Sequence, residues 1–412
     1  MNILWGILGV ITILGIGVIL SKDRKNINKR TILLGLVIQF IFAFLVLKST
    51  VGRYLLEKLS MAVQSIIGFT NEGIAFLFDP LVAESGDTIF VLEVLTVIIF
   101  FSSLISILYY LGIMQWVVNI LGGALSKLLH TTKPESISAA GNIFVGHTEA
   151  PLLVKPFIKK MNESELFAVM VGGMASTSGA VLVGYSLLGI PLEYLLAASF
   201  MGAPAGLIMA KIMIPHTKKQ MEDIRNGNVE EMSILGDDED EKPSNIIDAA
   251  ASGASTGVKL VLEITGMLLA FVSLIAMING GFGLIGDLFG MENLTMESIL
   301  GVVLSPIAFL IGVPWDEAVT AAQFIGQKIV VNEFVAFAGL GEMYNELSAK
   351  TGMILSFAIA GYGNFGSIAI QIGTLGGLAP DRRKDVSRIG LRAMMAGSLA
   401  TLLNGAIAGI FI

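Results

Sequence analysis

Ala139-Ala-Gly-Asn-Ile-Phe-Val-Gly-His-Thr-Glu-Ala-Pro151 sets Asn142, His147, Thr148 and Glu149 inside an otherwise apolar passage. In a bilayer an ionisable side chain costs about 2.5 to 3.5 kcal/mol even on lenient insertion scales, so such a group faces a polar cavity or a pathway. Gly146 and Pro151 flank the carboxylate. A continuous helix tolerates neither residue well, and a broken helix exposes backbone groups able to bind a solute. A polar loop at the membrane surface is the other reading, disfavoured by how apolar both flanks are.

The rest of the chain fits that setting. Of 412 residues, 54% are hydrophobic and 14% charged, and the mean hydropathy is +0.79. Soluble domains carry about 25% charged residues, so the composition predicts an all-α polytopic membrane protein. The 47 glycines suit helices that pack closely or break within the membrane. The absence of cysteine excludes disulfides, thiolate metal sites and cysteine nucleophiles. A net charge of -7 comes largely from one loop, and no basic run with interleaved aromatics points to nucleic acid. No P-loop pattern occurs, and His130, His147 and His216 lack the spacing of a metalloenzyme, which argues against ATP hydrolysis and against an intramembrane enzyme. The apolar N-terminus, without a basic region or a small-residue cleavage site, reads as a retained helix.

Outward from the opening stretch, apolar spans are expected at 3–20, 31–48, 89–113, 165–189, 193–213, 256–280, 351–373 and 388–412. The loop from Lys22 to Arg30 holds five basic residues and is expected on the cytoplasmic side. Residues 51–77, with Leu55, Leu59, Val63 and Ile66 on one face, read as an interfacial amphipathic helix. Basic residues bracket the opening stretch on both sides, which predicts a re-entrant hairpin. A second hairpin is expected over 297–340, broken at Pro306 and at Gly312-Val-Pro-Trp-Asp-Glu317 and carrying Asn332 and Glu333. The spans at 165–189 and 351–373 are interrupted by glycine-rich runs, Gly172 to Gly179 and Gly361 to Ser367. Lys259 and Glu263, four apart, suit an ion pair in the bundle interior.

The same order thus appears twice: span, broken hairpin, interrupted span, closing span. It divides the chain into N-terminal spans with an interfacial helix (1–85), a first repeat (86–215), an acidic cytoplasmic linker (216–250) and a second repeat (251–412). Two copies of opposite orientation place a substrate site at the bilayer midplane.

Three motifs carry a resemblance. Gly146-His-Thr-Glu-Ala-Pro151 is similar to the first-hairpin signature of the concentrative nucleoside transporters, usually Gly-Gln-Thr-Glu-Ala-Pro. Val331-Asn-Glu-Phe-Val-Ala336 resembles the second-hairpin signature of that family, and Tyr362-Gly-Asn-Phe-Gly-Ser-Ile368 its Phe-Ala-Asn-x-x-Ser element. The resemblance covers essentially the whole chain and implies a bacterial member. It implies eight spans, two re-entrant hairpins, interfacial helices and a homotrimer in the cytoplasmic membrane with one pathway per protomer. Carried over by position, Gly146, His147, Thr148, Glu149 and Val181 would face the nucleobase. Glu333, Asn364 and Ser367 would hold the ribose, with Tyr362 beside them. The sodium site of the family carries over to Asn142, Val171, Ser176 and Thr177, with sodium the coupling ion and no other cofactor.

These residue types agree with a nucleoside, a neutral solute flat on one side and rich in hydroxyls on the other. Carboxylates bind hydroxyls strongly, charge-assisted hydrogen bonds being roughly twice as strong as neutral ones, and an asparagine donates and accepts at once. His147 stands where the family has glutamine. A neutral imidazole offers one donor and one acceptor, which points toward purines, and its ordinary pKa of about 6.5 makes the site pH-sensitive. The expected function is therefore sodium-coupled nucleoside import. Proton coupling and a passive solute channel are the alternatives.

Overall fold

The computed structural model describes residues 2–85, 89, 91–225, 243–291 and 294–412. The acidic run Gly236 to Glu241, centre of the expected linker, lies outside the described residues. Every regular element among the described residues is helical.

Three helices open the chain: α1 (Asn2–Ile19), α2 (Lys29–Leu47) and α3 (Thr50–Ser85). Next come α4 (Thr96–Tyr110), entered through a short π-helical turn at Val91–Leu95, and α5 (Ile113–Leu129). The opening stretch of the sequence is broken, as its glycine and proline predict. It runs as α6 (Lys133–Gly141), a non-helical tip, a 3-10 segment (Ala150–Val154) and the single turn α7 (Lys155–Ile158). α8 (Glu163–Met174) and α9 (Gly179–Leu187) are the two halves of one interrupted span, and α10 (Leu192–Met213) closes the half, followed by the short α11 (Lys218–Arg225). The second half begins with α12 (Ile246–Leu288) and α13 (Met296–Leu310). The second hairpin is α14 (Trp315–Val330) and α15 (Glu333–Met343), α16 (Ala349–Ile359) and α17 (Phe365–Leu378) form the second interrupted span, and α18 (Arg383–Ala408) closes it.

Asparagines start the helices at the breaks. Asn332 accepts from the Val335 N–H at 2.9 Å and so caps α15, and Asn364 accepts from the Ser367 N–H at 2.8 Å and caps α17. Each satisfies a backbone donor that a broken helix would otherwise leave bare in an apolar setting. The two interrupted spans meet at their breaks, where the Tyr362 N–H donates to the Ser176 carbonyl at 3.2 Å. Gly202 of α10 lets that helix press on the first break, since a Cβ there would stand 2.8 Å from the Ala175 oxygen.

Seven described helices are long and apolar enough to span a membrane, or up to eight if one bent pair counts as a single span. Some details depart from the sequence reading. The 36-residue α3 has the length and hydropathy of a crossing as well as an amphipathic face, so those two properties do not mark it as interfacial. Pro306 does not break α13, which continues past it: the Val302 carbonyl that the proline leaves without an N–H donor accepts from the Ser305 hydroxyl at 2.9 Å. The 116° bend between α13 and α14 falls instead at Gly312, whose φ of 112° only glycine adopts freely. The tip of the second hairpin is accordingly the two-residue gap Val331-Asn332. α12 runs 43 residues rather than 25, about 65 Å at 1.5 Å per residue.

Burial sorts the helices into two groups. α8–α9, α10 and α18 are 94%, 89% and 83% buried over their apolar windows, whereas α12 is 11% buried. The interior group is further tied at hairpin 1 by a buried ion cluster. Glu135, which closes a capping box on Thr132, pairs with Lys211 of α10 and lies 3.2 Å from His216. α12 instead packs on α4 through Gly253 and Gly257, where a Cβ would come within 2.7 Å of α4 atoms, and the Ser103 hydroxyl donates to the Ala250 carbonyl at 2.9 Å.

Candidate substrate cavity

A cavity of about 500 Å³ opens between the two helix groups, within the roughly 300 to 1,000 Å³ of small-molecule sites. Both hairpin tips, α9 and the start of α17 form one wall, and α4 with α12 the other. All nine residues expected to bind substrate line it: Gly146, His147, Thr148, Glu149, Val181, Glu333, Tyr362, Asn364 and Ser367.

Glu333 is buried at the N-terminus of α15, a position favourable to a carboxylate. Its Oε1 accepts from the Tyr185 hydroxyl at 3.0 Å and its Oε2 from the Asn364 amide at 3.1 Å. The same Asn364 caps α17 through its Oδ1, so one side chain fixes both a helix start and a carboxylate. Glu149 enters from the opposite hairpin and has a weaker hold, a 3.4 Å contact from the Gly146 N–H.

His147 is buried, and neither of its ring nitrogens has a hydrogen-bond partner among the described residues. Its ring meets that of Tyr362 nearly edge-on at 4.5 Å. The Tyr362 hydroxyl is anchored in turn, donating to the Ser178 hydroxyl at 3.2 Å and accepting from the Ser178 N–H at 3.1 Å.

Asn142, Val171, Ser176 and Thr177 do not line the cavity. They lie behind the tip of hairpin 1, where α6 ends and the α8–α9 span breaks, all within about 1% exposure. Asn142 uses its Nδ2 on the Ser138 carbonyl at 2.8 Å. Its Oδ1 and the Thr177 hydroxyl are buried with no partner among the described residues. The Ser176 hydroxyl donates to the Gly172 carbonyl at 2.8 Å, which leaves its oxygen free to accept or coordinate. Such a set of neutral oxygens suits a small monovalent cation.

The sequence reading missed Tyr185 and Ser178 and gave Asn332 no role of its own, though each orients or flanks a cavity residue. Lys259 and Glu263 line the α12 side of the cavity as exposed groups, and among the described residues no ion pair joins them, contrary to expectation. Both side chains are exposed, where an ion pair gains little over two separate charges.

Comparison with known proteins agrees with this geometry. Residues 194–409 match the family model described as Na+ dependent nucleoside transporter C-terminus, residues 8–81 its N-terminus, and residues 91–191 a nucleoside recognition gate model. The chain is 53% identical to the uncharacterized transporter YutK of Bacillus subtilis over all of both chains. It is 44% identical to the nucleoside permease NupC of Helicobacter pylori, over 99% of this chain and 98% of that one. Its fold matches the structure of CNTnw in an inward-facing substrate-bound state at a TM-score of 0.92 and 48% identity, covering 100% of this chain and 98% of that one. With two broken hairpins that bring their carboxylates to one cavity and matches along its whole length, the chain belongs to the Na+ dependent nucleoside transporter family, as a multi-pass transporter of the plasma membrane and not an enzyme.

Proposed function

We propose that this chain imports nucleosides by sodium symport, with the nine cavity residues as the nucleoside site. The observation that carries the reading is that Glu149 and Glu333, from opposite hairpins, face one cavity. Glu333, oriented by Tyr185 and Asn364, accepts the ribose hydroxyls, and Ser367 lies beside it. Gly146, His147, Thr148, Glu149 and Val181 meet the base. A sugar lacking a hydroxyl leaves the buried carboxylate unmatched, so discrimination against it is strong. The unpartnered nitrogens of His147 favour purines, whose N7 and N3 accept hydrogen bonds.

Sodium is assigned to the oxygens of Asn142, Val171, Ser176 and Thr177. Binding there ties the end of α6 to the break after α8 and so orders the hairpin that carries Glu149. The active form is a homotrimer, each protomer keeping its own pathway, with the two repeats inverted in the membrane. Uptake into proteoliposomes under imposed sodium or proton gradients tests the coupling: accumulation driven by sodium supports it, and accumulation driven by protons alone contradicts it. Preloaded unlabelled nucleoside accelerates labelled uptake through a carrier and not through a passive channel.

A further inference from the structure

Each half of the chain builds a three-way junction from the end of a hairpin helix, the break of the interrupted span and the closing helix. In the first half these are the end of α6, residues 175–178 and α10, where the Ser199 hydroxyl donates to the Ile143 carbonyl at 3.0 Å. In the second half they are the end of α14, residues 360–364 and α18, where the Ser398 hydroxyl donates to the Gly363 carbonyl, again at 3.0 Å. The two junctions differ in what fills them. The first holds the unpartnered oxygens of Asn142 and Thr177.

The second holds an ammonium. Lys328 is 1% exposed near the end of α14, and its Nζ lies 3.2 Å from the Thr401 hydroxyl oxygen and 3.5 Å from that of Ser398. It reaches the backbone of the break as well, since a Cβ on Gly363 would stand 3.1 Å from the Nζ. No carboxylate pairs with it at salt-bridge distance among the described residues. A buried cation held by hydroxyls is expensive, and packing gives no reason for it, because a methionine would fill the same volume. The residue after Gly363 is Asn364, which orients Glu333. Lys328 therefore acts one residue away from the group that positions the cavity carboxylate.

We propose that Lys328 is a tethered cation that does in the second repeat what a bound sodium ion does in the first. It clasps hairpin 2 and α18 to the helix break, presets Asn364 and Glu333, and leaves the chain with one sodium site instead of two. The single site rests on the sodium reading above; the positioning role of the ammonium does not.

The test is labelled uridine binding to full-length protein in lipid nanodiscs, titrated with sodium chloride against choline chloride at constant ionic strength. Wild type should gain uridine affinity to first order in sodium. Lys328→Met, matched in size but without charge or oxygen, should bind uridine at least tenfold more weakly and should no longer prefer uridine over 2′,3′-dideoxyuridine, with sodium restoring neither. Lys328→Gln, which adds an oxygen to the Ser398 and Thr401 hydroxyls, should recover uridine affinity at high sodium, now to second order. Lys328→Arg should behave as wild type. Wild-type affinity and preference in Lys328→Met would overturn the positioning role, and a first-order response in Lys328→Gln would overturn the equivalence of the two junctions. Thermal melting of each variant identifies unfolded protein, and if Lys328→Met unfolds, Lys328→Gln and Lys328→Arg still decide. If wild-type binding ignores sodium, the coupling reading falls while the Lys328→Met and Lys328→Arg arms still test Lys328.

Discussion

Tyr185 and Glu333, 148 residues apart in the chain, are joined by a buried hydrogen bond of 3.0 Å. The Tyr185 ring is wedged against Phe334 and Phe337, with centroids 4.8 and 4.5 Å away, so the hydroxyl has little freedom to turn elsewhere. With Asn364 on the other oxygen, the carboxylate keeps about two of its four lone-pair sites for a ligand. Tyr185→Phe keeps the ring packing and removes the donor. Nucleoside affinity should fall by about 1.5 kcal/mol, the lower end for a hydrogen bond to a charged group, with little change in melting temperature. Equilibrium binding of labelled uridine measures it, and an unchanged affinity would contradict the orienting role.

Replacing either cavity carboxylate by its amide keeps the shape and removes the charge-assisted acceptor. Glu149→Gln and Glu333→Gln should each lose about 1.5 to 3 kcal/mol of nucleoside affinity. Glu333→Gln should lose more, because its second oxygen becomes an amide facing the Asn364 donor. Uptake near that of wild type in both single variants would remove the two carboxylates from the site.

His147→Gln restores the residue usual at this place in the family motif. Inhibition of labelled uridine uptake by adenosine, guanosine and cytidine should shift toward cytidine in the variant, since an amide matches a pyrimidine edge better than the free imidazole nitrogens do. The same order of inhibition in both proteins would take His147 out of base selection.

Asn142→Ala removes one oxygen of the cation set, and Thr177→Val another. Both should raise the sodium concentration for half-maximal uptake at least severalfold while leaving uridine affinity at saturating sodium near wild type. A sodium response unchanged in both variants would place the coupling ion elsewhere.

The cluster at the base of hairpin 1 should behave as a structural tie. Glu135→Ala strands Lys211 as a buried charge, which costs about 3 to 5 kcal/mol. Changing the pair together, as Glu135→Gln with Lys211→Met, should recover much of that. Thermal unfolding in detergent compares them, and a single variant as stable as wild type would show the pair to be dispensable.

The parts of this architecture legible in the sequence are those written locally. Gly146 with Pro151, and the glycines clustered around Asn364, weaken a helix locally, and an intramembrane glutamate needs a polar neighbour whatever the fold. The breaks and the two carboxylates could therefore be read off the chain, and motif resemblance supplied the remaining cavity residues. Tyr185 and Lys328 were beyond reach because their partners arrive from other helices, and a tyrosine or lysine in an apolar run carries no mark of what it will touch. Lys259 and Glu263 misled for the opposite reason: four-residue spacing permits a pair, but whether it forms depends on a cavity that only the assembled bundle creates. Pro306 misled because the Ser305 hydroxyl satisfies the carbonyl that the proline frees, and α13 runs on past it.

The wall formed by α4 and α12 has one further property. Its described hydrogen bonds run within itself or onward to α13, as from Asn279 to Glu297 at 2.9 Å, and none crosses to the hairpins or to α9. At that seam the contacts are apolar, such as Ile98 near Gly184 and Ile105 near Gly179. A boundary without directional bonds has none to break: one side can move along the other by trading one set of apolar contacts for another. Hairpin 2 and the two interrupted spans, laced together through Glu333, Asn364, Tyr362 and Ser178, with hairpin 1 tied on by the Gly179 N–H to the Phe144 carbonyl, would travel as cargo and carriage in one piece. A cysteine pair replacing Ile105 and Gly179, once bridged by a short bifunctional thiol reagent, should then arrest uptake yet spare nucleoside binding, and undiminished uptake in the linked protein would show the seam to be fixed.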